Sequence, residues 1–171
     1  MKRVKRDLTY ERLREVLHYE PKTGIFTWRV SNSNRVKIGE RAGSVLNNGY
    51  RIIVIDNKHT LEHVCVWLYV FGKFPALFID HKNGNRADNR IENLREATRS
   101  QNNANAMRPP NAAGFKGVTP KKGRWEAGIS KDNRFRYIGT FNTPEEAHAA
   151  YMKVARELHG EFANPGNGEV A

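Results

Sequence analysis

Apolar and polar positions along this chain follow two periods, and each change of period marks a new element. From Asp7 to Tyr19, Leu13, Val16 and Leu17 share a helical face, with Asp7 or Thr9 available as caps, so a short helix is predicted. The turn Pro21-Lys22-Thr23-Gly24 leads into Ile25 to Val30, a predicted strand, and Ser31 to Lys37 is a polar loop. Asn47-Asn48-Gly49 turns into a second strand from Tyr50 to Ile55, closed by Asp56-Asn57. His63 to Phe71 is apolar enough for a buried helix, ended by Gly72-Lys73-Phe74-Pro75. A strand ending at Asp80-His81, a polar loop, a strand near Leu94 to Thr98 and a helix from about Ser100 complete this half. With Ser100 as N-cap, Asn102 and Asn103 fall in the first turn of that helix.

The pattern then breaks. Met107 to Gly114 carries two prolines and few apolar side chains, the composition of a linker. Beyond it, Phe115 to Thr119, Arg124 to Ile129 and Arg134 to Phe141 read as strands, separated by turns at Lys121-Lys122-Gly123 and Asp132-Asn133. Thr143-Pro144-Glu145-Glu146 opens a helix with a capping hydroxyl, proline at the first helical position and a glutamate three residues after the cap. Ala147, Ala150, Tyr151, Val154 and Leu158 recur at helical spacing, which packs this helix on a three-stranded sheet. The expected class is α+β.

Charge narrows the partners. The 171 residues carry a net charge of +11, with 39% hydrophobic residues, and the mean hydropathy is −0.72. An excess of this size favours a polyanion, because neutralised phosphates release counterions. Cys65 is the single cysteine, which excludes an internal disulfide and a cysteine-based zinc site. It sits in the apolar run Val64 to Phe71, far shorter than the roughly 20 residues that cross a bilayer. The basic start Met1 to Arg6 is not followed by an apolar stretch, so no secretory signal and no membrane association are expected, and the cytoplasm is the expected location.

The chemistry concentrates in Asp80-His81, Asn93 and Asn102. Phosphodiester hydrolysis needs an activated water, stabilised charge on phosphorus and help for the leaving oxygen. Histidine is the natural base near neutral pH, which assigns His81 that task. Asp80 and the amide oxygen of Asn102 are hard ligands suited to Mg²⁺. Asn93 would hold the imidazole in orientation through its side chain or backbone carbonyl. Neighbouring strand residues point to opposite faces, so Asp80 and His81 converge only if the strand ends or twists there, as the loop containing Gly84 allows. The stretch Lys82 to Asn93 also reads as turn chemistry alone.

These residues resemble the HNH endonucleases with a ββα-metal core, especially phage and intron-encoded homing endonucleases. The likeness rests on Glu62-His63 to Phe71, Pro75, Ile79 to Asn85, Asp88-Asn89-Arg90, Asn93-Leu94-Arg95, Thr98 and Gln101-Asn102. It implies His81 as general base, Asp80 and Asn102 as metal ligands and Asn93 as the orienting residue. Asparagine rather than histidine at 102 favours Mg²⁺, with Mn²⁺ able to substitute, over zinc. His63 matches a recurrent position and is given a structural role. His18, His59, His148 and His159 read as solvated or core histidines.

Residues 114 to 164 resemble the apetala-type (ethylene-response-factor) DNA-binding domain. The match runs through Gly117-Val118, Arg124-Trp125-Glu126-Ala127, Ile129, Tyr137 to Phe141, Thr143, Glu145-Glu146-Ala147, Ala149-Ala150-Tyr151, Ala155, Leu158-His159-Gly160 and Ala163-Asn164. That family lays its sheet in the major groove of DNA. Lys116, Arg124, Lys131, Arg134 and Arg136 become expected DNA contacts, with Trp125 against sugar or base and Lys121 and Lys122 on phosphates. The other reading makes these basic residues a solvated face and Trp125 part of the core.

Together these readings give a nuclease domain over 1–106 (its ββα-metal finger about 76–106, preceded by a helix and strands), a linker over 107–113 and a DNA-binding domain over 114–171. The expected activity is site-directed cleavage of double-stranded DNA at one divalent metal, nicking one strand and leaving 5′-phosphate and 3′-hydroxyl ends. A monomer is expected and a dimer stays open. For a phage-encoded protein the setting is the host cytoplasm. The rival is a non-catalytic DNA-binding regulator.

Overall fold

Helix α1 (Tyr10–Val16) starts where the Thr9 hydroxyl accepts the Arg12 N–H at 3.1 Å. The computed structural model describes residues 8–31, 36–107 and 113–166, a mixed α/β chain with four α-helices and several small sheets among those residues. The predicted first helix extends to Tyr19, but the structure turns to strand β1 (Leu17–Glu20) straight after Val16. Leu17 and Tyr19 are buried while His18 and Glu20 are exposed, a period of two that a helix cannot satisfy. β1 pairs antiparallel with β2 (Ile25–Trp28) across the predicted turn.

A three-stranded antiparallel sheet follows, ordered β3 (Ser44–Val45), β4 (Arg51–Ile55), β5 (Lys58–Leu61). Asp56 and Asn57, at φ 49° and 61°, form its β4–β5 turn, the conformation that Asp and Asn tolerate best. Helix α2 (Glu62–Phe71) ends on Gly72 at φ 69°. Strands β6 (Phe78–His81) and β7 (Leu94–Ala97) then pair with each other. Leu13, Val16, Leu17, Phe26, Ile53, Cys65, Val66 and Leu68 form the heart of this core, with Tyr19, Phe26 and Tyr69 in mutual ring contact. A charged pair is buried beside them. Arg51 Nε donates to Glu62 Oε2 at 2.7 Å, and the Arg51 guanidinium also reaches the carbonyls of Ala42 and Gly43.

Residues separate into two compact units, Met1–Glu96 and Ala97–Ala171, so helix α3 (Arg99–Asn105) groups with the C-terminal part. The predicted linker spans 107–113, of which 108–112 lie outside the described residues. The cap of α3 is Thr98 rather than the predicted Ser100. Its hydroxyl accepts the Gln101 N–H and the Gln101 side chain accepts the Thr98 N–H, a reciprocal pair that Ser100 does not make.

Strands β8 (Val118–Lys121), β9 (Arg124–Lys131) and β10 (Arg134–Phe141) form an antiparallel sheet ordered β10-β9-β8, against which α4 (Pro144–His159) packs. The predicted Thr143/Glu146 capping box and N-terminal proline of α4 are both present. Gly117 sits at φ +76°, and a Cβ there would come 2.1 Å from the Tyr151 ring, so the strand approaches α4 where only glycine fits. Lys116 Nζ donates to the carbonyls of Ala104, Ala106 and Asn164 at 2.5–3.1 Å. Two of these carbonyls lie at the end of α3, where a cation complements the helix dipole.

Two stability outcomes follow. Arg51→Leu leaves the Glu62 carboxylate buried without its cation and should cost about 3–5 kcal/mol in urea unfolding. Lys116→Met should cost about 2 kcal/mol and speed amide exchange across α3, because three carbonyls lose a charged donor.

Candidate active site

β6 ends on Asp80 and His81, each 4% exposed. Arg95, on β7, donates its Nε–H to Asp80 Oδ2 at 2.9 Å; the Asp80 side chain is buried and that of Arg95 mostly so. The His81 ring lies edge-on to His63 at 5.2 Å and 6.0 Å from Tyr50, over which the Arg86 guanidinium sits at 4.9 Å. His81 Nε2 is 2.9 Å from Asn89 Oδ1. Burial pushes the His81 pKa below the usual 6.5, with Asn89, Asp80 and Asp88 pulling the other way. The imidazole is therefore neutral at neutral pH, the form that accepts a proton.

The loop between β6 and β7 is built by its polar side chains. Asn93 accepts the Asn83 N–H on its Oδ1 at 3.1 Å and donates its amide to Asn83 Oδ1 at 3.0 Å and the Asp88 carbonyl at 2.8 Å. The Asn93 backbone carbonyl accepts the Lys82 N–H at 2.9 Å. Arg90 forks onto Asp88 and holds its carboxyl down at about 2. The turn chemistry read from the sequence is thus present, and it shapes the loop that follows the imidazole. Asn93 fastens that loop; the amide that meets His81 is Asn89, which stands in the resembling stretch Asp88-Asn89-Arg90 but takes no role from the sequence. Asn89 was hidden because a loop rich in Asn and Asp gives no period from which to tell which amide turns inward.

The other proposed ligand, Asn102, lies on α3 in the second unit, its N–H bonded to the Thr98 carbonyl at 2.9 Å. Among the described residues, no three His, Cys, Asp or Glu side chains gather as a metal site. Asp80 and Asn102 offer one carboxylate and one amide oxygen. Each is a hard donor of the kind taken by an ion that keeps its waters and borrows phosphate oxygens.

In the second unit, strand register sorts the predicted DNA contacts onto two faces. Val118, Ala127 and Ile129 turn toward α4 and are buried. Trp125, Lys131, Arg134 and Arg136 share their parity. Trp125 packs against this core, and Lys131 Nζ donates to the Leu158 carbonyl near the end of α4 at 2.9 Å. The face turned away from α4 carries Thr119, Lys121, Arg124, Gly128, Ser130, Phe135 and Tyr137. Phe135 and Tyr137 are 66% and 54% exposed. Lys121 pairs with Glu126, Arg124 reaches the Thr140 carbonyl at 3.3 Å, and Lys122 is exposed in the turn. Lys116 lies off both faces, on the carbonyls described above. A groove of about 1000 Å³ runs between α3, at Arg99, Ser100 and Asn103, and the sheet at Gly128, Ser130 and Phe135. The two aromatics and the groove could have been foreseen only by counting strand parity correctly through both turns.

Comparison with known proteins places these features. Residues 61–104 match the profile of the HNH endonuclease family. A protein named as an HNH endonuclease from Acanthamoeba polyphaga mimivirus is 31% identical over 119 residues, 69% of this chain. The chain spans 63% of that relative's length. Protein 3.8 of Escherichia phage T7 is 31% identical over 110 residues, 62% of this chain and 90% of the relative. An ethylene-responsive transcription factor of Arabidopsis thaliana is 51% identical over 43 residues, which is 24% of this chain and 10% of that protein. Given a family profile on the segment that holds the Asp80-His81 strand, its loop and α3, and a phage relative matched over most of its own length, this chain belongs to the HNH endonucleases, a family of nuclease enzymes.

Proposed function

We propose that this protein is a site-directed endonuclease of the homing type that nicks double-stranded DNA, leaving 5′-phosphate and 3′-hydroxyl ends. The observation that carries the reading is His81 buried at the end of a strand, directly after Asp80 in sequence, with burial holding its pKa below 6.5 where the strand opens into a polar loop. His81 takes the proton from the attacking water. Its burial keeps it unprotonated and ready at neutral pH. Nucleases of this family generally use a divalent metal ion; Mg²⁺ held by Asp80 and the Asn102 amide oxygen would stabilise charge on the phosphate and the leaving 3′ oxygen. Arg95 neutralises Asp80 when no substrate is present, and Asn93 keeps the loop closed around the imidazole. One such centre per chain cuts one strand per encounter.

The C-terminal sheet, in this reading, locates the target over the stretch that resembles the plant regulator. Duplex DNA lies along the face away from α4, with Lys121, Lys122 and Arg124 closest to it, while Arg134 and Arg136, whose register turns them to the other face of the edge strand β10, reach its phosphates from that edge. The domain boundaries proposed remain 1–106 and 114–171, with 107–113 between them. Coupling a cutter to a reader raises the effective concentration of each at the target.

Supercoiled plasmid with Mg²⁺ should yield relaxed circles that EDTA abolishes; none in either tube would leave a DNA-binding regulator. His81→Ala is expected to slow nicking about 10²–10⁴-fold while DNA affinity in a gel shift stays nearly unchanged. Arg124→Ala should weaken binding by about 1–3 kcal/mol and relax sequence preference, as a base contact would. Arg136→Ala should instead weaken all sequences alike and lower the salt dependence, the signature of a phosphate contact.

A further inference from the structure

The His81 ring is held by a loop residue, Asn89, that carries part of the sequence resemblance but has no role in the mechanism above. Asn89 is 1% exposed, and its Oδ1 lies 2.9 Å from His81 Nε2. An imidazole nitrogen committed to a neighbour in this way cannot also receive a proton from water, so the neighbour decides which nitrogen is basic. We propose that Asn89 is the positioning residue that sets the tautomer of His81. Its amide oxygen accepts the Nε2–H, and the lone pair that takes the proton of the attacking water resides on Nδ1. This rests on the reading of His81 as the base.

The placement of Asn89 is overdetermined, which a merely loop-filling amide would not require. The Tyr19 hydroxyl donates to the Asn89 carbonyl at 2.9 Å in a buried contact. Gly24, at φ +72°, lets the β1–β2 turn press so close that a Cβ would stand 2.4 Å from Arg90 N and 2.5 Å from the Asn89 carbonyl carbon. On the other side, Asp88 is fixed by Arg90 and by the Asn93 amide. The β1–β2 hairpin, some 70 residues upstream in sequence, is thereby part of the base's support. Asn93 acts one step further out, on the loop rather than on the ring.

The full-length chain, labelled with ¹⁵N-histidine, allows a test that does not depend on cleavage. Imidazole ¹⁵N shifts separate protonated from unprotonated ring nitrogens, and loss of one set in His81→Gln assigns the signal among the 6 histidines. Above neutral pH, wild-type His81 should carry its proton on Nε2. Asn89→Ala should mix the two tautomers and lower kcat for nicking about 10- to 100-fold with KM unchanged. Asn89→Asp retains an acceptor oxygen and should restore the Nε2–H form and most of the rate. Tyr19→Phe, which removes only the carbonyl contact, should give a smaller loss of the same kind. A proton on Nδ1 in the wild type, the result of the opposite amide orientation, overturns the proposal, as does a folded Asn89→Ala variant with unaltered kcat. Should that variant fail to fold, the wild-type spectrum still decides. If His81→Ala nicks normally, it is the base assignment that fails, while the tautomer measurement stands by itself.

Discussion

Closing a polar loop over a buried imidazole is the constraint around which the N-terminal unit is organised. A loop from Lys82 to Asn93 cannot bury His81 and Asn89 unless its own amides and carbonyls find partners, since each orphaned group inside costs about 1–3 kcal/mol. The Asn83–Asn93 exchange, the Asn93 bond to the Asp88 carbonyl and the Arg90 fork on Asp88 supply those partners. With the loop so shaped, Asn89 turns inward and meets the ring.

The same logic explains two other expensive features. Arg51 and Glu62 bring opposite charges into the interior, joining β4 to the first turn of α2. Asp80 and Arg95 form such a pair across β6 and β7. Pairs of this kind contribute little net stability compared with apolar substitutes, but breaking one is severe. In the second unit, Lys116 does comparable work with carbonyls: it ties the end of α3 to the segment after α4. That helix carries Asn102, which groups with the C-terminal unit.

Much of the fold was legible because period and capping are local. The β4 and β9 strands, the α2 and α4 helices and the Thr143 capping box follow from neighbouring residues alone. The end of α1 and the cap of α3 were misplaced by a few positions. In both places two local preferences compete, and burial of Leu17 and Tyr19, or the Thr98–Gln101 reciprocity, decides between them.

Residue types and their order were enough to propose Asp80, His81, Asn93 and Asn102, because hydrolysis demands a base and hard oxygen donors whatever the fold around them. Which amide touches the ring, which acid is paired to which arginine, and which basic residues share a sheet face were settled only by packing. Those outcomes depend on groups brought together from 8 to 70 positions apart, and on strand parity, where a one-residue shift reverses every side chain. Separation in sequence carries no information about such meetings; the energy of desolvating each group does.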